Sequence, residues 1–266
     1  MSPPLDEAHW GRRSRSEQII RLMGLVALLG LGVWAYDGIG VQPSYVLSAH
    51  TQAIDIFQRG WPPDMGYVRE IAMPLLMTVH MALLGTALAI VLSVPVALLA
   101  AENITPTRGT MVLGQLITTV SRSVSSIIWA LIFVIMFGSG ALAGVLALAV
   151  KSVGFIARMM REAIEEIDPR PVEAVAATGA SRAQTVLYGI VPQIKPVFIG
   201  VSIYELEGNI RGATVLGFVG AGGIGVALKL SVDFLRWDQA LTIMLAILGL
   251  VIVGEYVSAH LRKLAY

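Results

Sequence analysis

The sequence predicts an all-α fold, a polytopic transmembrane bundle of about six spans with both termini on the cytoplasmic side. Composition is the first sign: of 266 residues, 56% are hydrophobic and only 14% are charged, whereas soluble domains carry about 25% charge. The second is the recurrence of apolar runs that approach the roughly 20 residues a helix needs to cross a bilayer. The third is the placement of basic residues, which cluster before the first run and after the last, as expected of segments that stay in the cytoplasm.

The first run, Leu22–Tyr36, follows Arg12, Arg13, Arg15 and Arg21. That basic start is like a secretory leader, but no small-residue cleavage site follows before Asp37, so the segment reads as an anchor. Asp37–Glu70 reads as an external loop, rich in proline at Pro43, Pro62 and Pro63, with a short surface helix near Tyr45–His50. Further spans are expected at Pro74–Ala101, Ile127–Phe137, Ala141–Ala157, Val191–Tyr204 and Leu241–Val257. The third is short and must borrow Ser121–Ser126 to cross. An inside amino end then places Arg158–Lys195, with Arg262 and Lys263, inside, and Glu207–Asp238 outside. No soluble insert is long enough to hold its own core, so 1–266 reads as one transmembrane domain.

Several function classes fall away. There are no cysteines, hence no thiolate chemistry and no Cys-based metal site. His9, His50, His80 and His260 lack metal-ligand spacing, so no metal is expected. A net charge of +1 gives no field suited to nucleic acid. The chain has no G-x-x-x-x-G-K-[ST] phosphate loop and no G-x-S-x-G elbow, so an enzyme reading has no residues to stand on. Gly220-x-Gly222-x-x-Gly225 copies a dinucleotide fingerprint in form. That fingerprint requires a strand inside a βαβ unit, and here it would sit among membrane helices.

The segment Pro171–Pro192, PVEAVAATGASRAQTVLYGIVP, stands out as polar between apolar runs. Asp168-Pro169-Arg170-Pro171 stops the helix before it, because proline lacks an amide donor and displaces the residue ahead of it. Pro171 suits a first helical position, Glu173 suits the first turn, and Ala174, Ala176 and Ala177 propagate a helix that Gly179 ends. Ser181 and Gln184 form a capping box for a second short helix running toward Pro192. Two short helices with a bend suit docking into a cleft. They equally suit an ordinary loop packed on its own bundle.

The spacing resembles a known signature. In membrane subunits of type I binding-protein-dependent ABC importers, Glu-Ala-Ala is followed after three residues by Gly and after nine more by Ile-x-Leu-Pro. Glu173, Ala174, Gly179 and Pro192 match it in place, with Val175, Gly189 and Val191 substituted. The resemblance implies the type I importer permease fold. It further implies that Pro171–Gly179 is a coupling helix seated in a groove of a separate ATP-hydrolysing subunit, which would bind ATP and Mg2+. This chain itself would bind no cofactor. A narrower resemblance, to phosphonate-family permeases, rests on WALIFV at Trp129–Val134, GALAGVLALA at Gly140–Ala149, EAIEEIDP at Glu162–Pro169 and NIRGATVLGFVGAGGIG at Asn209–Gly225. The chain departs from that pattern at Arg122–Ser126 and at Lys151.

That family implies a permease in the bacterial inner membrane that passes phosphonate, phosphite or hypophosphite. Its expected partners are a second copy of the chain, two ATP-binding cassette subunits and an extracytoplasmic substrate-binding protein. A permease for another small solute and a stand-alone secondary carrier are the alternatives, although no internal repeat supports the carrier. Candidate path or gate residues are Lys151, Glu207, Asn209, Arg211, Gly220, Gly222 and Gly223. Glu207 and Arg211, four apart with the acid first, suit a helical ion pair at the outer end of the fifth span. Such a pair holds a gate or lines the path, where a guanidinium suits phosphoryl oxygens. The glycines suit close packing or an unwound segment beside a cavity. Lys151 lies among apolar residues, and snorkelling is its bland alternative.

Overall fold

The computed structural model describes residues 15–40, 42–105 and 107–265. Among them every regular element is helical. The chain divides into two compact units, one ending at Ile56 and one beginning at Phe57.

In the first unit, helix α1 (Arg15–Ile39) is long and apolar enough to cross a membrane, and its described side chains are exposed all round. The surface helix expected near Tyr45–His50 is longer than the sequence suggested. It is α2 (Pro43–Gly60), an amphipathic helix of 18 residues that reaches the start of the second unit.

The second unit is built on α3 (Val68–Ala100), α6 (Ala141–Glu165), α9 (Val191–Leu216) and α11 (Trp237–Ala265). Between these lie α4 (Arg108–Ser123), α5 (Ser126–Phe137), α7 (Pro169–Ala177), α8 (Arg182–Thr185) and α10 (Ile224–Asp233). Five helical segments can span a membrane, or six if α4 and α5 count as one broken span. The expected third span is corrected here: its two pieces meet at 94°. Val124 is extended and Ser125 caps α5 by accepting from the Ile127 amide, which ends one helix and starts the next. Twelve residues of α5 reach only about 18 Å, too short for the roughly 30 Å hydrocarbon layer.

Small residues let the central helices approach. A methyl at Gly85 on α3 would sit 2.9 Å from Leu148 Cβ on α6, and one at Gly154 on α6 would sit 2.7 Å from Ser121 Cβ on α4. Around these contacts Ala89, Ala97, Ile156, Ala157, Ile164 and Ile194 form a buried core. Lipid offers apolar side chains no hydrophobic gain from clustering, so close packing of small residues is what joins such helices. The large apolar residues accordingly point outward, as at Leu83, Leu84, Val91, Leu248 and Ile252.

Helix α9 overturns one boundary expectation. Glu207–Asp238 is not a loop from its start: α9 runs on to Leu216, which puts Glu207 and Arg211 inside the helix. The second short helix runs toward Pro192 as expected and continues past it. α8 passes through a π-helical turn, Val186–Ile190, straight into α9. In that turn the Val191 amide reaches back to the Val186 carbonyl. Pro192 cannot donate to Tyr188, and its ring crowds that carbonyl. A wider turn just upstream absorbs the conflict without breaking the helix.

Candidate functional site

Three groups of residues carry functional geometry, and the first is the elbow between α6 and α9. Asp168, extended in backbone, caps α7 by accepting from the Arg170 amide at 3.0 Å. The helix therefore starts at Pro169, two residues before the expected Pro171, because a capping aspartate followed by proline is a stronger start signal. The Arg170 guanidinium grips the same carboxylate at 2.6 and 3.0 Å. That guanidinium, and secondarily the Arg170 amide, hold the Asp168 carboxyl below its ordinary range, while the carboxylate raises the Arg170 pKa.

Glu173, Ala174 and Ala177 lie on α7 as expected, with no buried residue among them. Gly179 turns the chain with φ +83°, a left-handed conformation that glycine adopts without penalty. The capping box is present, since the Ser181 amide donates to Gln184 Oε1 at 2.8 Å and the Gln184 amide to Ser181 Oγ at 3.4 Å. An open cavity of about 650 Å3 lies in the bend, lined by Ala174, Val175, Thr178, Gly179, Gln184 and Tyr188 among others.

Gln193, which sequence reasoning missed, ties this elbow to α9. Its side chain accepts from the Asp168 amide at 3.1 Å and donates to the Asp168 carbonyl at 3.2 Å and the Gly189 carbonyl at 2.8 Å. Gly189 lets the π-helical turn press on α7, since a methyl there would meet Val172 Cα at 3.1 Å. No local spacing announces Gln193, because its main partner lies 25 residues away.

The second group is a polar chain through the middle of the bundle. Asn209 Nδ2 donates to Thr86 Oγ1 on α3 and to Ser152 Oγ on α6, each at 2.9 Å. Ser152 donates in turn to Glu205 Oε1 at 2.9 Å, and Lys151 closes the chain with an ion pair to the same oxygen. Asn209 is thus fully buried inside this unit. Glu205, on a different face of α9 from the Glu207–Arg211 pair, is the buried acid that Lys151 engages, its side chain only 2% exposed.

The third group contains the expected Glu207–Arg211 pair, at 3.3 Å, with Arg211 largely exposed. Glu207 also meets Arg262 of α11 at 3.4 Å. That contact ties Glu207 to the last turn of α11.

Gly220, Gly222 and Gly223 all have positive φ in the break before α10. They sit where backbone meets neighbour. A methyl on Gly222 would reach Ala141 N at 2.9 Å, and one on Gly223 would reach Thr78 Oγ1 at 2.7 Å. Thr78 Oγ1 accepts from the Ile224 amide at 2.8 Å. Gly222 and Gly223 also border an apolar cavity of about 630 Å3 together with Tyr67, Pro74, Met77 and His80.

Comparison with known proteins agrees with this architecture. Residues 93–263 match the family described as binding-protein-dependent transport system inner membrane component. The phosphite transport system permease protein PtxC of Stutzerimonas stutzeri is 42% identical over 202 residues, covering 76% of this chain and 74% of that protein. The phosphate-import permease protein PhnE of Mycolicibacterium smegmatis is 36% identical over 234 residues, covering 88% of this chain and 43% of that protein. Among solved structures, an inward-facing form of the MetNI methionine ABC transporter superposes with a TM-score of 0.65 at 21% identity. It covers 76% of this chain and 99% of the matched one, which is a likeness of fold.

Proposed function

The chain belongs to the binding-protein-dependent transport system inner membrane components, and from that membership we propose that it is the permease subunit of an ATP-driven importer of a phosphorus oxyanion. Phosphonate, phosphite and hypophosphite are the substrate class. The support is its 42% identity to a phosphite permease and 36% identity to a phosphate-import permease. Two copies would enclose the path by two-fold symmetry, with both termini of each copy in the cytoplasm. An extracytoplasmic binding protein would deliver the anion. Two ATPase subunits, holding ATP and Mg2+, would each grip one α7.

The observation that carries the coupling part is the elbow. α7 is capped by Asp168, bent at Gly179 and clamped by Gln193 to the head of α9. A displacement of α7 therefore moves α9 as one body. Alternating access then follows as a two-state change of the bundle, with ATP-driven closure favouring one state and hydrolysis returning the other. A near-complete switch requires about 5.5 kcal/mol of differential interaction, which a loosely tethered loop could not transmit. Lys151, Glu207 and Arg211 are the charged groups on the path or its gate, and Gly222 and Gly223 give the apolar cavity its close-packed wall.

The test is ATPase stimulation of the reconstituted assembly by its binding protein loaded in turn with phosphite, hypophosphite, a phosphonate and phosphate. One phosphorus oxyanion should raise hydrolysis and appear inside the vesicles. Stimulation by none of them, with uptake of a neutral solute instead, would overturn the substrate reading.

A further inference from the structure

Lys151 occupies a position that bilayer chemistry does not tolerate without a reason. It lies ten residues into α6, about 15 Å from Ala141, and pairs with Glu205, two residues before Glu207 on α9. An ammonium facing lipid is costly, yet its side chain is 36% exposed. The face it occupies explains the exposure. One, two and three turns further on, the same stripe carries Phe155, Arg158 and Glu162, and the last two pair at 2.7 Å. Phe155 packs against the exposed Tyr204, ring centres 5.7 Å apart. A stripe with that much charge borders water.

Glu205 explains what the lysine is for. Helix-to-helix adhesion between α3, α6 and α9 is already supplied by the neutral Asn209, Thr86 and Ser152 bonds. Glu205 adds a Ser152 bond and the Lys151 ion pair between α6 and α9, and a buried carboxylate is costly alone. Its structural effect is to fix the ammonium. Of the ammonium's three protons, one is directed at Glu205, and among the described residues Lys151 has no other hydrogen-bond acceptor. Two donors are left over.

We propose that Lys151, anchored by Glu205, is a transient oxyanion-binding step within the membrane subunit, where a tetrahedral phosphorus anion rests on the spare ammonium protons during passage. The inference rests on the importer reading above and names a ligand site for it. Sharing the ammonium with Glu205 matters for rate as well as binding. An unshared lysine in a low-dielectric path would hold an anion too tightly to release it, and passage requires sites that bind weakly. Glu205 is a positioning residue. Lys151 is the group that touches substrate.

The chain lacks cysteine, so Lys151→Cys in the full assembly, built with cysteine-free partner subunits, offers one reactive thiol per copy of the chain. Phosphite moved per ATP hydrolysed should fall at least 10-fold in this variant. Aminoethyl methanethiosulfonate, which rebuilds an ammonium at nearly the same reach, should restore it, whereas the neutral methyl reagent should not. Should Lys151→Cys fail to assemble, Lys151→Gln with Glu205→Gln removes both charges and leaves no bare buried carboxylate. That pair should show the same loss, with Lys151→Arg retaining transport within about 3-fold. Wild-type phosphite per ATP in the cysteine or the double variant, or equal rescue by both reagents, overturns the proposal while leaving the importer reading intact. A wild-type assembly that moves no phosphorus oxyanion overturns the importer reading itself.

Discussion

Gly179 is the place where coupling can be broken by backbone geometry alone. Its φ is +83°, and a Cβ added there meets nothing within 4 Å, so any effect of substitution is conformational and not a clash. A non-glycine residue in this left-handed region costs about 1–2 kcal/mol, or roughly a 5- to 30-fold drop in the population of the bent elbow. Asparagine, which visits that region readily, should lose little. Proline removes more. It fixes φ near −65°, deletes the amide that donates to the Ala176 carbonyl at 3.0 Å, and disfavours the helical backbone of Thr178, whose ψ is 0°. The expected order of anion moved per ATP is wild type, Gly179→Asn, Gly179→Ala, Gly179→Pro, with hydrolysis persisting in the proline variant and uptake lost. The assay is simultaneous measurement of ATP hydrolysis and anion uptake in proteoliposomes. Wild-type uptake per ATP in Gly179→Pro, or equal loss in Gly179→Asn and Gly179→Pro, would refute the assignment of the bend to coupling.

Gln193→Leu should loosen the elbow from α9 while leaving both intact, so ATPase stimulation by the loaded binding protein falls several-fold and assembly by size-exclusion does not change. Gly225→Ala should destabilise the unit by several kcal/mol, above the usual 1–3 for overpacking, because its Cβ would lie 2.1 Å from the Thr214 carbonyl oxygen; thermal unfolding in detergent reads this out. The Asp168 carboxyl is held below its ordinary value near 3.8, so its cap on α7 is fully present above that value and is lost as pH falls through the depressed one. Hydrogen-exchange protection of the Arg170 amide should therefore be flat from neutral pH to about 4 and decline below. In Asp168→Asn, which keeps a capping oxygen, it should stay flat throughout.

What the sequence made legible was local. The stop at Asp168-Pro169, the bend at Gly179 and the Ser181–Gln184 box all depend on neighbours within four residues, and each stands where local chemistry puts it. The helix start was misplaced by two residues because two prolines competed for the first turn and the aspartate decided between them. The ion pair of Glu207 with Arg211 was legible for the same reason, being one helical turn long. The second partner of Glu207 was not, since Arg262 is 55 residues away. Glu205 escaped notice because its partners, Lys151 and Ser152, are on another helix, and periodicity along α9 shows only that it points away from Glu207. The π-helical turn before Pro192 was not legible, because proline's conflict with the preceding turn can be resolved in more than one way. Inside a membrane bundle a widened turn and neighbouring helices satisfy the freed backbone groups.

If α7 is the coupling helix, the continuity of α9 makes it the helix that would carry work through the bundle. α6 also leads to the elbow, but it ends at Glu165, and Glu166 to Asp168 leave helical geometry before α7 begins. Force applied to α7 therefore reaches α6 across a non-helical joint. Toward α9 the route is stiffer: Gln193 spans the elbow, and helix runs from Arg182 to Val219, 38 residues or about 55 Å. Along that rod stand Glu205 on Lys151, Asn209 on Thr86 and Glu207 on Arg262. At its far end Gly217 and Gly225 lie backbone to backbone. A tilt of α9 would strain or exchange these contacts together. The ion pair that holds Lys151 is among them, so the step that reorients the bundle also alters how firmly the ammonium is shared. Binding and release of an anion at Lys151 would then be timed by the same motion that opens the path, without a separate gate.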